Sequence, residues 1–183
     1  MFSLVLAPTS VAWSGQTHLD IVDLVYYSLS DDVQQNLSLE KMRDGSDDPD
    51  YKFFDFSYHR YPASYQKANY WLDRGEGAYK NGDYNQASYS FGVASHYIAD
   101  SFSAPHCAGR TGFYHFLYEV QGTLLSPQII YKSGNLKSLL ANGQLNGEYS
   151  WNSWMMSRSE SYVQNDLNQA ASASYVAINN RIT

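Results

Sequence analysis

Two pairs of metal-ligand side chains spaced four residues apart, His96 with Asp100 and His115 with Glu119, constrain this chain more than any other feature. In an α-helix, positions i and i+4 lie on one face about 6 Å apart. Each pair can therefore share one metal ion only if its segment is helical. His106, directly after Pro105, lies between the pairs, and His18 and His59 precede them, so all five histidines stand at spacings that metal binding requires. One such histidine alone would more often be a satisfied core residue. Five in this arrangement, with carboxylates at helical offsets, define a metal-site hypothesis.

Apolar spacing at i, i+3, i+4 and i+7 recurs along most of the sequence and sustained period-two alternation is scarce, which predicts an all-α chain. A first helix is expected from Gln16 to Leu29, with Ile21, Val22, Val25 and Leu29 on the face near His18, and a second from Asp31 to Arg43 with a stop at Gly45. Residues 44–62, rich in Asp, Pro and aromatics, read as an ordered functional loop that delivers Asp50 and His59. A third helix, Ala63 to Lys80, closes at Asn81-Gly82. Asp83 with Gln86 resembles a capping box that opens the helix of His96 and Asp100, and another helix from Thr111 would hold His115 and Glu119. Residues 126–149 carry Pro127 with several Gly, Asn and Ser and read as a surface connection. Trp151 to Met156 would pack on the core, and Ser159 to Ile182 would form a closing helix.

With 183 residues the chain supports one domain with a real core. A formal charge of -6 argues against a broad electropositive surface for nucleic acid, although bound metal ions would make a local site positive regardless. Cys107 is the only cysteine, so no intrachain disulfide forms, and the residue reads as a small buried side chain. Phe2 to Ala7 is a short apolar run, and Ser10-Val11-Ala12 before Trp13 resembles a small-residue cleavage site. Residues 1–12 therefore read as the tail of a secretory signal peptide and 13–183 as the mature, exported catalytic domain. No apolar run approaches the roughly 20 residues that span a bilayer.

The segment from Gly82 through His96 and Asp100 to Pro105-His106 resembles the central motif of bacterial zinc-dependent phospholipases C of the alpha-toxin type: His, three residues, Asp, five residues, His, with proline before the last histidine. Thr17-His18 resembles that family's first histidine helix, Gly45 to Tyr51 its first aspartate loop, Phe56 to His59 its second histidine, and His115 with Glu119 completes the set. The resemblance covers residues 13–120 in order. It implies a single compact multi-helix domain and three zinc ions. One ion would take the amino and carbonyl groups of Trp13 with His18 and Asp100. A second would take Asp50, His59, His96 and the other oxygen of Asp100, and a third His106, His115 and Glu119. Trp13 can serve only with a free amine, after removal of the leader. Asp50 has Asp44, Asp47, Asp48 and Asp55 as chemically equivalent neighbours, and the Gly-Ser-x-x-Pro-Asp-Tyr pattern selects it.

Such a centre activates water without a serine or cysteine, with Asp50 as the proton acceptor. The implied reaction is hydrolysis of a glycerophospholipid, at a membrane or micelle surface, to diacylglycerol and a phosphorylated head group. Tyr51 and Phe56 match the family's substrate-binding aromatics, which receive choline by cation-π attraction; packing of the loop is the equal alternative. Gln16 stands where some relatives carry glutamate, which leaves choline preference open. The short ligand loops imply an open cleft, with membrane docking left to exposed aromatics. The five-residue spacing of Trp13 and His18 instead resembles single-strand-specific zinc nucleases, so a nuclease or nucleotidase is the second reading. A secreted metal-binding protein without turnover is the third.

Overall fold

The computed structural model describes residues 13–183. The leader reading of residues 1–12 lies outside them. The described residues are helical and contain no strand. Helix α1 (Gly15–Ser28) is capped by Ser14, whose hydroxyl accepts from Thr17 N, and it buries Ile21, Val22 and Val25 on the face of His18. Helices α2 (Asp31–Asn36) and α3 (Leu39–Asp48) replace the single helix expected over Asp31–Arg43. The break falls at Leu37, because Ser38 starts a new cap with its hydroxyl accepting from Lys41 N.

The expected loop 44–62 is more ordered than its composition suggests. Its first residues, through Asp48, finish α3, a π turn spans Pro49–Phe53, and a 3-10 turn spans Phe56–Tyr58. Phe54 takes a left-handed conformation (φ 52°), uncommon for an aromatic residue, and so turns the chain between these two short elements.

Helices α4 (Ala63–Lys80) and α5 (Tyr84–Asp100) form an antiparallel pair. Gly82, at φ 77°, supplies the left-handed turn between them, and the Asp83 carboxylate caps Gln86 N as the sequence implies. Helix α5 is the centre of the fold: from Ser90 to Asp100 every residue is buried. It is flanked by α3 and α4, with α1 and α9 also packing on it.

The short α6 (Ala104–Cys107) and α7 (Phe113–Gly122) follow. The surface connection expected over 126–149 is corrected, since its second half belongs to α8 (Leu136–Ser157). Glycine and asparagine weaken the local helix signal there. The buried positions Leu140, Gly143, Gly147, Ser150, Trp151 and Trp154 nevertheless lie on one face. Gly143 and Gly147 leave space that Phe102 and Cys107 fill, since a Cβ would come within 2.7 Å of the Phe102 ring and 2.5 Å of Cys107 Sγ. Helix α9 (Glu160–Ile182) closes the bundle, and its buried Asp166 accepts hydrogen bonds from Tyr118 (2.5 Å) and Ser150 (2.7 Å).

Packing of α3 on α5 fixes the site. A Cβ on Gly92 would lie 2.0 Å from the Met42 carbonyl oxygen, and one on Gly45 would lie 2.1 Å from that of Tyr89. Only glycine permits this approach of two backbones. Overpacking of this kind typically costs about 1–3 kcal/mol. Gly92→Ala is therefore expected to lower unfolding free energy by at least about 2 kcal/mol in urea titration. An unchanged midpoint would mean that the α3–α5 contact is slack.

Candidate metal centre

Helix α5 delivers His96 and Asp100 from its last turns, and five other segments bring the remaining candidate ligands near them. His18 comes from α1, Asp50 from the π turn, and His59 from the residue after the 3-10 turn. His106 lies in α6, and His115 and Glu119 in α7.

The two oxygens of Asp100 face different partners. Oδ1 lies 3.2 Å from His18 Nε2, while Oδ2 lies 2.7 Å from His59 Nδ1 and 3.2 Å from His96 Nε2. Asp50 Oδ1 is 3.7 Å from both His59 Nδ1 and His96 Nε2. The His18 and His96 rings stack at 4.0 Å. A further set brings His115 Nε2 within 2.5 Å of Glu119 Oε1, with the His106 ring 5.0 Å from that of His115. Three groups thus lie close enough to hold an ion each: His18, His96 and Asp100; Asp50, His59 and His96; and His106, His115 and Glu119.

Burial makes these contacts demanding. Asp100 and His96 are fully buried, and His59, His18 and Asp50 nearly so. His18 Nε2, Asp50 Oδ1, both ring nitrogens of His59, His96 Nε2 and both oxygens of Asp100 are buried without an ordinary hydrogen bond. Each such group costs roughly 1–3 kcal/mol when left unsatisfied. Zinc takes nitrogen and oxygen ligands at about 2.0–2.2 Å, so ligands of one tetrahedral ion sit roughly 3.4 Å apart. Most of the separations above bracket that value, and the donor set fits zinc.

The polar groups behind the ligands fix which nitrogen faces inward. His96 Nδ1 lies 2.7 Å from the Ser46 carbonyl, and His115 Nδ1 lies 2.9 Å from that of Arg110. Each therefore donates from Nδ1 and presents Nε2 as a ligand. His59 is turned the other way, with Nδ1 inward and Nε2 3.8 Å from Asp55. Asp55 also accepts from Tyr97 Oη (2.8 Å) and Lys67 Nζ (2.9 Å).

Protonation follows the same geometry. Burial alone would raise Asp100, but His96, His59 and His18 together hold it well below the usual carboxylate range. Burial, with the neighbouring His18, depresses His96. Burial raises Asp50 to about 6 and Glu119 to about 7, each against the pull of nearby histidine. Asp50 and Glu119 thus resist ionisation, whereas Asp100 does not.

The remaining anticipated residues are placed less directly. Trp13 is fully buried, its indole donating to the Ala99 carbonyl (3.1 Å) beside Asp100, and a Cβ on Gly122 would strike its ring. Its main-chain nitrogen is an amide in this chain. Tyr51 is exposed, with its hydroxyl close to Gly15. Phe56 packs its ring 5.6 Å from His59 and lines a groove that does not include Tyr51. Asp55 and the Ser46 and Arg110 carbonyls were not singled out from sequence. Asp55 carried a usable signal, its i,i+4 spacing to His59; the carbonyls carried none. Asp47, also passed over, has a buried Oδ1 without a partner near Gly15.

An all-α bundle that gathers histidines and carboxylates at the end of a buried helix defines a candidate multi-metal centre. The chain belongs to the zinc dependent phospholipase C family, whose model matches residues 17–170. Among solved structures it is similar to the Clostridium perfringens alpha-toxin of an avian strain, with a TM-score of 0.65 and 15% identity over 94% of this chain. It spans 62% of the length of that toxin chain, and the likeness concerns the fold. Comparison with curated proteins gives no match.

Asp100 belongs to the His18 and His96 group and its Oδ2 also faces His59 and His96 of the second, so Asp100→Asn is expected to weaken both and to leave the His106, His115 and Glu119 group intact. Elemental analysis after dialysis against zinc is expected to show loss of the ions near Asp100 and retention of one. Full loading of the variant would exclude Asp100 as a shared ligand.

Proposed function

We propose that this chain is an exported zinc-dependent phosphodiesterase of phospholipase C type, which hydrolyses a glycerophospholipid to diacylglycerol and a phosphorylated head group. The observation that carries the reading is the convergence on Asp100 of buried donor atoms without hydrogen-bond partners, in a chain of this family. Trp13, His18 and Asp100 would hold one ion, Asp50, His59, His96 and Asp100 a second, and His106, His115 and Glu119 a third. Bound zinc would supply Lewis acidity, stabilising charge on phosphoryl oxygens and bringing the pKa of water toward neutrality.

The chain's own residues do the rest. The Asp100 carboxylate, gripped from both sides, ties the first two ligand sets into one rigid unit. Asp50 Oδ1 makes no hydrogen bond and faces His59 and His96, which places it to accept a proton beside the bound metals. Asp55, itself held by Tyr97 and Lys67, faces His59 Nε2 across 3.8 Å and adds negative charge behind the ring.

A lipid surface is the fitting partner. No described helix is long and apolar enough to cross a membrane. The outer face of α7, however, exposes Phe113, Tyr114, Phe116 and Val120 on the helix that carries His115 and Glu119. Aromatics in this setting rest at the interface of a bilayer.

Turnover of phosphatidylcholine micelles and of single-stranded DNA, each with and without a zinc chelator, tests the proposal. Chelator-sensitive release of diacylglycerol is expected, and Asp50→Asn should lower kcat about 10²–10⁴-fold. Cleavage of DNA alone would overturn the phospholipase reading in favour of a zinc nuclease, and full zinc loading without turnover would favour a binding protein. The double variant Phe113→Ser/Phe116→Ser should weaken partitioning onto vesicles by at least about ten-fold. It should still hydrolyse a soluble short-chain lipid, and unchanged partitioning would remove α7 from the docking surface.

A further inference from the structure

Beside the His106, His115 and Glu119 group lies a groove of about 270 Å³, lined among others by Phe56, Arg60, His106, Arg110 and His115. It is continuous with the candidate centre, because His106 and His115 belong to both. Its charge is opposite to that of the molecule. The chain has 12 basic against 18 acidic residues, yet the groove lining includes two arginines and no carboxylate.

Neither arginine is committed to a strong partner. Arg60 reaches Gln144 at 3.4 Å and Glu148 at only 4.0 Å, and its Nη1 lies over Gly109, where a Cβ would come within 3.2 Å. Gly109, at φ 61°, thus lets the Arg60 head lie along the groove. Arg110 makes no ion pair among the described residues. Its backbone is pinned nonetheless, because its carbonyl accepts from His115 Nδ1 at 2.9 Å. A side chain with a free guanidinium is thereby rooted on the neighbour of a candidate ligand. Helix α7 starts two residues beyond Thr111, with no acid in its first turn and no capping side chain, which adds to the positive potential.

Phe56 could receive a quaternary ammonium, but the two guanidinium groups in the same groove oppose a cation. They suit an oxyanion, which arginine engages through paired hydrogen bonds. We propose that this groove is the head-group subsite and that it takes a head group bearing an oxyanion of its own, a carboxylate or a second phosphate, recognised by Arg110 and Arg60. The proposal rests on the phospholipase reading and narrows its substrate to anionic head groups.

The test uses lipid pairs that differ in one oxyanion, dispersed in neutral detergent. Phosphatidylserine against phosphatidylethanolamine isolates a carboxylate, and phosphatidylinositol 4-phosphate against phosphatidylinositol isolates a phosphomonoester. Calorimetric binding of the soluble head groups, phosphoserine against phosphoethanolamine and inositol 1,4-bisphosphate against inositol 1-phosphate, gives a readout independent of turnover. In at least one pair the anionic member is expected to lead by about ten-fold in kcat/KM and in Kd. Arg110→Gln should reduce that lead to about two-fold, with partial recovery in Arg110→Lys. The pair that responds identifies the oxyanion.

Equal rates and equal binding within both pairs would overturn the proposal while leaving the phospholipase reading intact, as would a lead that Arg110→Gln does not change. Absence of lipid turnover would defeat the phospholipase reading alone, and the head-group titrations would still decide whether the groove selects an oxyanion. A single-stranded oligonucleotide that binds about ten-fold more weakly to Arg110→Gln, with no head-group preference, would overturn the proposal in favour of a nucleic-acid phosphate.

Discussion

The carboxylate of Asp100 is the constraint around which the structure is arranged. It lies fully buried at the C-terminal end of α5, where the aligned peptide dipoles already present partial negative charge. An anion there is doubly unfavourable unless positive charge reaches it. Three histidines face it, but they do not act alike: against burial, the neighbouring Asp100 and Asp50 raise His59, whereas burial pushes His96 toward its neutral form. Metal ions resolve the conflict: they take neutral imidazoles and ionised carboxylates together and displace protons in binding. Binding of metal here would therefore be coupled to folding.

The scaffold holds the cluster through close backbone contacts more than through large side chains. Gly45 and Gly92 let α3 meet α5 without intervening side chains, and the Ser46 carbonyl, one residue after Gly45, is thereby set on His96 Nδ1. Gly75 admits the Phe91 ring, and Gly122 admits Trp13, in the same way. Such joints tolerate little adjustment, because protein interiors are close-packed. The ligands on α1 and α5 are consequently fixed by helix geometry. Asp50 and His59 depend on two short turns joined at the strained Phe54.

Much of this was legible in the sequence, and the omissions have physical causes. The i,i+4 pairs located α5 and α7, and the Asp83 cap and Gly82 located the start of α5. Helix α8 was not legible. Its glycines lower local helix propensity while serving contacts with Phe102 and Cys107 that only the folded chain reveals. The break at Leu37 was hidden because apolar positions continue across it, and a cap as weakly signalled as Ser38 does not stand out from neighbouring serines. At the site, residue types were readable but the supports behind them were not. A backbone carbonyl has no sequence identity, so Ser46 and Arg110 could not be named as partners of His96 and His115. Asp55 could have been, but its spacing to His59 competed with the pattern that selected Asp50.

The ligand groups differ in their access to solvent, and this gives the site a direction. The donors around Asp100 lie deep, whereas His106 is half-buried and, with His115, borders an open groove. A phosphodiester of the proposed kind, entering from solvent, would therefore meet the His106, His115 and Glu119 group first. On the opposite side, the deep cluster of His18, Asp50, His59, His96 and Asp100 is closed off from bulk solvent. In the proposed reaction water would attack phosphorus roughly in line with the departing diacylglycerol oxygen, so the head group would lie off that axis. The basic groove would then hold the head group that stays on phosphorus while diacylglycerol departs. Because the rest of the chain is acidic, charge in that groove acts locally, selecting among head groups already at the surface more than steering lipid from a distance.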